Sequence, residues 1–548
     1  MSNSDKELSG GRDGRWTRHL ASLSLLVILL LAAAVRAYGS NFGLPYVYHL
    51  DEPAIMNHSL LIERTKDLNP HWFDYSPPVA YPTLYIYLQV LVISITRLAV
   101  RAWAAWRGVA FDDLTVQGFI YQGGRLATVL FGTATVPVVY ATGRRLFNRE
   151  VGLWAALALA GTALHIRNSH YITPDIPCTF FAACCLYFAA RALDTRSLAD
   201  LTVSALMAGL AAGTKYNAGL VLVVTGLAFL LTRRGWRELL DPALVTIPLA
   251  AAAAFLGSTP YAVLDYPTFR WTLDFHLQHY QTGHDGFEGS DSWLWFARYL
   301  YTEGMFPILT WVSGLGVLYA ALVRRTRKDL LLLVFPVFYY ALISAQRVRF
   351  ARNVIPILPF LALFAGRLIA ELLDWLAARI KRSRLGKRLT AVMQAFGVLG
   401  VAILLVGAPL RQQLVVDYWL SQEDTRTIAK RWVEENIPAG AKIAVESYCP
   451  TLELSWKPGT KQPRYQVKFF NKLADHTLAF YQEQGYDYVV VSSSMYNRYF
   501  VDSVTYPTQR QFYESLFAQW PLVVEFTGYP VPMHDPVIRI YRVPGARQ

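Results

Sequence analysis

Tyr48-His49-Leu50-Asp51-Glu52-Pro53 decides how the chain is read. It follows the first long apolar run, about 20–38, almost at once. Two adjacent carboxylates just beyond a membrane span are costly unless they are used. Pro53 favours a helix start and Asp51 suits a cap, so a helix over about 53–64 capped by Asp51 is also expected. The two readings are compatible, and both place the pair at a membrane surface.

Composition supports the membrane reading. Of 548 residues, 54% are apolar and 17% charged, and the net charge is +13. The Lys and Arg residues lie in short clusters between apolar runs, the positive-inside pattern of a multi-pass protein rather than a nucleic-acid footprint. Cys178, Cys184, Cys185 and Cys449 form neither a disulfide framework nor a paired metal motif. The run from Leu20 to Ala34 ends in Val35-Arg36-Ala37 without a convincing cleavage site and is expected to remain as the first span.

Sidedness follows from the basic clusters. Arg12, Arg15 and Arg18 predict that residues 1–19 form a cytoplasmic tail. Gly143-Arg144-Arg145-Leu146-Phe147-Asn148-Arg149 marks the inner end of a span over about 124–142. That span therefore starts outside, and the apolar, Tyr-rich stretch from Tyr81 to Ile95 reads as an interfacial or partly inserted helix in a long outer loop, 39–122. Alternation through later clusters predicts about eleven spans within 20–410. The N-terminus is then cytoplasmic and the C-terminus extracytoplasmic, as expected of a plasma (inner) membrane protein. Residues 411–548 carry no run long enough to span. Lys442–Val445, Tyr486–Val491, Leu522–Phe526 and Val537–Tyr541 read as strands and Thr425–Glu435 as a helix, so a small extracytoplasmic α/β domain is predicted.

Three groups of residues carry candidate chemistry. Asp51 and Glu52 share their predicted face with Asp175, in His170-Tyr171-Ile172-Thr173-Pro174-Asp175, where Thr173 also fits a cap and Pro174 the first helical turn. Arg125, Arg167, Lys215, Arg347, Arg349 and Arg352 are basic residues at outer span ends, against the positive-inside trend. One such residue is an ordinary snorkelling anchor, but six together suit a phosphate or diphosphate headgroup. His276, His279 and His284 lie in one outer loop with Asp274 and Asp285. They offer a site for a divalent metal, yet no second ligand cluster accompanies them, and solvated or substrate-contacting roles fit their spacing better.

In order and sidedness these residues resemble the GT-C fold glycosyltransferases that use polyprenyl-phosphate sugars, within them the protein O-mannosyltransferase and aminoarabinose lipid A transferase family. The resemblance rests on Asp51-Glu52, Pro77-Pro78, Gly124-Arg125-Leu126-Ala127, Val136-Pro137, Arg144-Arg145-Leu146-Phe147, His165-Ile166-Arg167-Asn168-Ser169-His170 with Thr173-Pro174-Asp175, Gly213-Thr214-Lys215-Tyr216 and Arg349-Phe350-Ala351-Arg352-Asn353. It covers about 20–410. It implies transfer from a polyprenyl-phosphate-linked sugar donor to an extracytoplasmic acceptor (a protein, lipid A or a surface glycan), with inversion. Asp51, Glu52 and Asp175 are the expected catalytic set: one of the adjacent pair, Asp51 in preference to Glu52, takes the acceptor proton or orients the acceptor, Asp175 helps bind acceptor or sugar, and the basic set offsets phosphate charge. His170, Tyr216 and His284 complete the expected substrate-binding set. Where the aminoarabinose enzymes carry an acid–lysine pair before Pro-Pro, this chain has Tyr75-Ser76, with Asp74 one step earlier. That departure argues against aminoarabinose specificity and against a metal site shared with those enzymes. The competing expectation is a transporter or flippase of lipid-linked sugar, for which matching repeats in two halves are not evident.

Overall fold

A computed structural model describes residues 3–70, 81–233, 235, 241–287, 289, 291–381, 387–455, 462–502, 504–529 and 534–545. The Pro77-Pro78 pair, Asp74, Tyr75 and Ser76 lie outside the described residues. Among the described residues, seven segments are long and apolar enough to cross a membrane, including His19–Ala37, Asp113–Leu146, Asp175–Thr195 and Ala351–Ile380. Leu198–Thr214, Tyr216–Thr232 and Ala243–Ser258 are shorter apolar helices. Leu84–Arg107, expected as interfacial, meets the length and composition of a span. The last membrane helix continues to Leu420, beyond the boundary expected near 410.

The helices begin where side chains satisfy their first N–H groups. Asn148 accepts from Val151 N–H at 2.8 Å, and Thr326 forms a capping box with Asp329. Small residues let the helices approach. A Cβ on Gly152 would lie 2.5 Å from the Tyr140 carbonyl oxygen, and one on Gly366 would lie 2.6 Å from Ala155 N. Helix Arg149–Ala160 is thereby clasped between Asp113–Leu146 and Leu358–Lys381.

The C-terminal part holds a five-stranded sheet: β1 (Lys442–Glu446), β2 (Gln466–Phe470), β3 (Tyr488–Ser492), β4 (Leu522–Phe526) and β5 (Ile538–Arg542), in the order β2-β1-β3-β5-β4. β1 pairs in parallel with β2 and β3, and β5 runs antiparallel to β3 and β4. Ile443 and Val490 face one apolar layer, Ala444, Val489 and Val491 the other. β2 was not anticipated, because Gln-Val-Lys-Phe-Phe is a largely exposed edge strand without a buried run.

This unit docks on the loop after the first span. The Tyr48 hydroxyl is 2.9 Å from Thr427 Oγ1, and Arg426 lies over the Tyr48 ring and donates to the Tyr48 carbonyl at 3.2 Å. His534 is 3.0 Å from the Tyr171 hydroxyl. A second contact joins Lys472 to Asp285, with Gly286 N–H donating to the Tyr506 hydroxyl at 3.1 Å.

Candidate active site

The helix after the opening motif runs Glu52–Thr65 with Pro53 in its first turn, as expected. Asp51 holds the cap position, but its side chain makes no cap hydrogen bond. The carboxylate turns instead to Arg352, which donates from Nη1 to Oδ2 at 2.6 Å. The capping role is thus corrected: a nearby guanidinium outcompetes a neutral N–H for a carboxylate. Thr173 likewise makes no cap bond to helix Asp175–Thr195.

The two neighbouring acids have different fates. Glu52 is fully buried and takes a two-pronged grip from Arg125, Nε to Oε1 and Nη2 to Oε2, both at 2.8 Å. Glu52 Oε1 also accepts from Ile172 N–H at 3.1 Å. Arg125 donates from Nη1 to the Ser40 and Phe42 carbonyls and lies 3.8 Å from the Phe42 ring centroid. This pair staples the first loop to helix Asp113–Leu146. Glu52 as a catalytic residue and Arg125 as a phosphate ligand are therefore corrected, since both are fully buried in this pair and neither lines the cavity that Asp51 lines.

Asp51 lines a cavity of about 590 Å³. Arg167, Arg349 and Arg352 share its wall with His276, His279 and His284. Each arginine has a carboxylate partner: Asp291 for Arg349 at 2.5 Å, Asp51 for Arg352, and Glu303 for Arg167 at 3.7 Å. Arg167 also donates to the Tyr299 hydroxyl at 3.1 Å. A side chain on Gly289 would overlap the Arg349 guanidinium, so glycine there makes room for it.

Asp175, Lys215 and Asn353 form a buried knot beside the cavity. Lys215 Nζ donates to Asp175 Oδ1 at 2.7 Å and to Asn353 Oδ1 at 3.2 Å. It joins the starts of three segments and does not line the cavity. Tyr216 packs edge-on against Phe269. His170 is buried behind the site, 3.8 Å from Asp417. The Arg347 side chain is exposed and outside the cavity wall, and its backbone bonds Tyr280 and Gly289. Direct substrate contact by Asp175, Lys215, Tyr216, His170 or Arg347 is therefore not provided by this arrangement.

Charge at the wall is set by its surroundings. Burial raises the Asp51 carboxyl, but Arg352, supported by His49, His284 and Lys215, outweighs this and holds it below the ordinary carboxylate range. Burial, reinforced by Lys215, His279 and Arg352 at His276 and by His279, Arg498 and Arg352 at His284, pushes both imidazoles down to about 4. Both are neutral at neutral pH. Among the described residues no group of three or more His, Cys, Asp or Glu is arranged to hold a metal ion.

Sequence reasoning missed the aromatic wall: Tyr81, Tyr171, Tyr280, Trp295 and Tyr299, with Tyr448 reaching in from the C-terminal unit. His49 joins them by packing on Tyr171, ring centroids 4.2 Å apart. The one available signal was the concentration of Tyr around the first outer loop.

Residues 101–261 match the dolichyl-phosphate-mannose-protein mannosyltransferase family. The structure aligns with ArnT from Cupriavidus metallidurans bound to undecaprenyl phosphate, at a TM-score of 0.52 and 14% identity, covering 95% of this chain and 99% of that one. The chain has the GT-C fold. The GT-C likeness extends to the oligosaccharyltransferase of Archaeoglobus fulgidus, at a TM-score of 0.52 and 14% identity, over 95% of this chain and 74% of that one. In sequence, the chain is 29% identical over 311 residues to the undecaprenyl phosphate-alpha-4-amino-4-deoxy-L-arabinose arabinosyl transferase of Pseudomonas aeruginosa, covering 53% of this GT-C chain and 52% of the relative. It thus spans about half the length of the curated relatives it matches.

Proposed function

We propose that this protein is a membrane glycosyltransferase that moves a sugar from a polyprenyl-phosphate carrier to an extracytoplasmic acceptor, with inversion at the anomeric carbon. The N-terminus is then cytoplasmic, and the cavity and C-terminal domain lie on the opposite face. The observation that carries the reading is the Asp51–Arg352 pair at the wall of a cavity that also holds Arg167 and Arg349.

The pair explains how one site handles both a phosphate and a proton. Bound to Arg352, the Asp51 carboxylate is a weak base. A donor phosphate offers Arg352 a more highly charged partner. As the guanidinium shifts to the phosphate, Asp51 loses its counter-charge and becomes more basic. It then takes the acceptor hydroxyl proton as that oxygen attacks the anomeric carbon and the carrier phosphate departs with the bonding pair. Arg352 and Arg349 stabilise the charge growing on the leaving phosphate. The neutral imidazoles of His276 and His284 offer hydrogen bonds to sugar hydroxyls without adding charge.

The test is release of polyprenyl phosphate from a polyprenyl-phosphate sugar by purified protein in nanodiscs. Wild-type protein releases carrier, and Arg352→Gln weakens carrier binding about tenfold and loses release. Translocation of the donor across proteoliposomes without carrier release would replace this reading by a flippase.

A further inference from the structure

β1, β2 and β3 are parallel and lie in the order β2-β1-β3. The chain leaves β1 to one side and returns across it to the other, so the winding reverses between the carboxyl ends of β1 and β3. In open parallel sheets the crevice outside such strand ends is where ligands bind. Here that crevice is turned onto the cavity of the membrane domain. Tyr448, just after β1, lines the cavity with Asp51. Lys472, just after β2, pairs with Asp285. Arg498, on the helix after β3, lies 5.1 Å from the Phe287 ring and 4.9 Å from the Tyr448 ring, and donates to the Tyr448 hydroxyl.

Two backbone features maintain this corner. Tyr448 has φ of +66°, a left-handed conformation that a bulky residue adopts at a cost and that clusters at functional sites. Gly286 has φ of +76°, and a Cβ there would lie 2.9 Å from Arg498 Cβ, so glycine lets the arginine stem lie on the loop.

The charge at this corner is unspent. The arginines that line the cavity, and Lys472 near it, have carboxylate partners. Arg498 forms no ion pair among the described residues; besides Tyr448, it donates only from Nε to the Ser494 carbonyl at 2.9 Å. A guanidinium held between two ring faces presents a planar fork that can grip the two oxygens of a carboxylate. The flanking rings suit the apolar face of a pyranose.

We propose that the C-terminal domain forms the acceptor-recognition half of the site, and that Arg498 and Tyr448 bind the carboxylate-bearing ring of an acidic sugar acceptor. This rests on the transferase reading given above and names its acceptor class.

The test uses the full-length chain in nanodiscs and saturation-transfer NMR, with D-glucuronate, D-glucose and N-acetylaspartate amide as probes, and undecaprenyl phosphate binding measured separately. Glucuronate is expected to exceed glucose about fivefold, and Arg498→Gln to remove that excess. The same variant binds undecaprenyl phosphate within about twofold of wild type, whereas Arg352→Gln weakens it about tenfold. Where Arg498→Gln fails to fold, Arg498→Lys carries the test: it keeps the charge without the fork and loses about threefold of the glucuronate signal. Equal signals for glucuronate and glucose, or a signal indifferent to Arg498, overturn the proposal. N-acetylaspartate amide matching glucuronate overturns it in favour of an acidic peptide. Absence of undecaprenyl phosphate binding alongside Arg498-dependent glucuronate binding would sink the transferase reading and leave the carboxylate subsite standing.

Discussion

Replacing Glu52 by Gln and, separately, Asp51 by Asn puts two neighbouring carboxylates to opposite tests. Glu52 and Arg125 both have side-chain exposure of 0%. Glu52→Gln turns one end of the two-pronged grip into an amide N–H facing a guanidinium N–H and leaves Arg125 buried without a counter-charge. Breaking a buried pair in this way costs about 3–5 kcal/mol. Asp51 is 31% exposed and Arg352 23%, so Asp51→Asn gives up a screened pair worth at most about 1 kcal/mol. Its effect falls on the chemistry, where loss of a general base lowers turnover by about 10²–10⁴-fold. The assay pairs the thermal midpoint, read by size-exclusion with fluorescence detection, with carrier release per folded molecule. Glu52→Gln is expected to lower the midpoint sharply, and Asp51→Asn to leave it near wild type while abolishing release. The double change Glu52→Gln/Arg125→Met restores part of the midpoint, because no charge is then stranded. An Asp51→Asn protein that releases carrier at the wild-type rate, or a Glu52→Gln protein as stable as wild type, would refute the division of roles.

Two further outcomes follow from packing and titration. Gly152→Ala places a methyl 2.5 Å from the Tyr140 carbonyl oxygen; overpacking at a backbone contact is expected to destabilise the helix bundle by about 1–3 kcal/mol, read as a lower midpoint in detergent. In the C-terminal domain, burial pushes the Glu446 carboxyl up to about 7, although it accepts bonds from Ser492 N–H, Leu473 N–H and the Tyr513 hydroxyl. Because the folded state holds this proton more tightly than the unfolded chain, the contribution is full below the ordinary value of 4.5 and is lost as pH rises through about 7. The domain's thermal midpoint should therefore fall across that window, and Glu446→Gln should flatten the dependence.

Charge sidedness made part of the site legible in advance. Asp51, Arg167, His284, Arg349 and Arg352 were each placed at one end of the predicted bundle, and the structure lines one cavity with them. Linear sequence could not separate arginines that face a cavity from arginines that staple helices. Arg125 and Arg352 look alike at a span end, and only the fold shows that Glu52, 73 residues away, consumes the first. Local rules also misled where a stronger partner lay far off. Asp51 and Thr173 have cap chemistry, but the Asp51 partner is 301 residues distant, and no propensity encodes that. The aromatic wall escaped notice because Tyr and Trp at helix ends read equally well as membrane-interface anchors. Tyr448 sits in a turn whose relation to the cavity depends on how two domains dock.

The docking bears directly on Asp51, the proposed base. Tyr48 is clamped from the C-terminal domain by Thr427 at its hydroxyl and by Arg426 at its ring and carbonyl. Four residues later Glu52 is locked to Arg125. The backbone between them is therefore held at both ends, one anchor in each domain, and Asp51 projects from a fixed stretch toward a partner it can exchange. This placement makes the C-terminal domain more than a cover. An undocked domain would free the Tyr48 end and let Asp51 wander by more than the fraction of an ångström that proton transfer tolerates. The same docking brings Tyr448 to the cavity wall with Arg498 beside it, so the proposed acceptor recognition and the proposed positioning of the base depend on one interface.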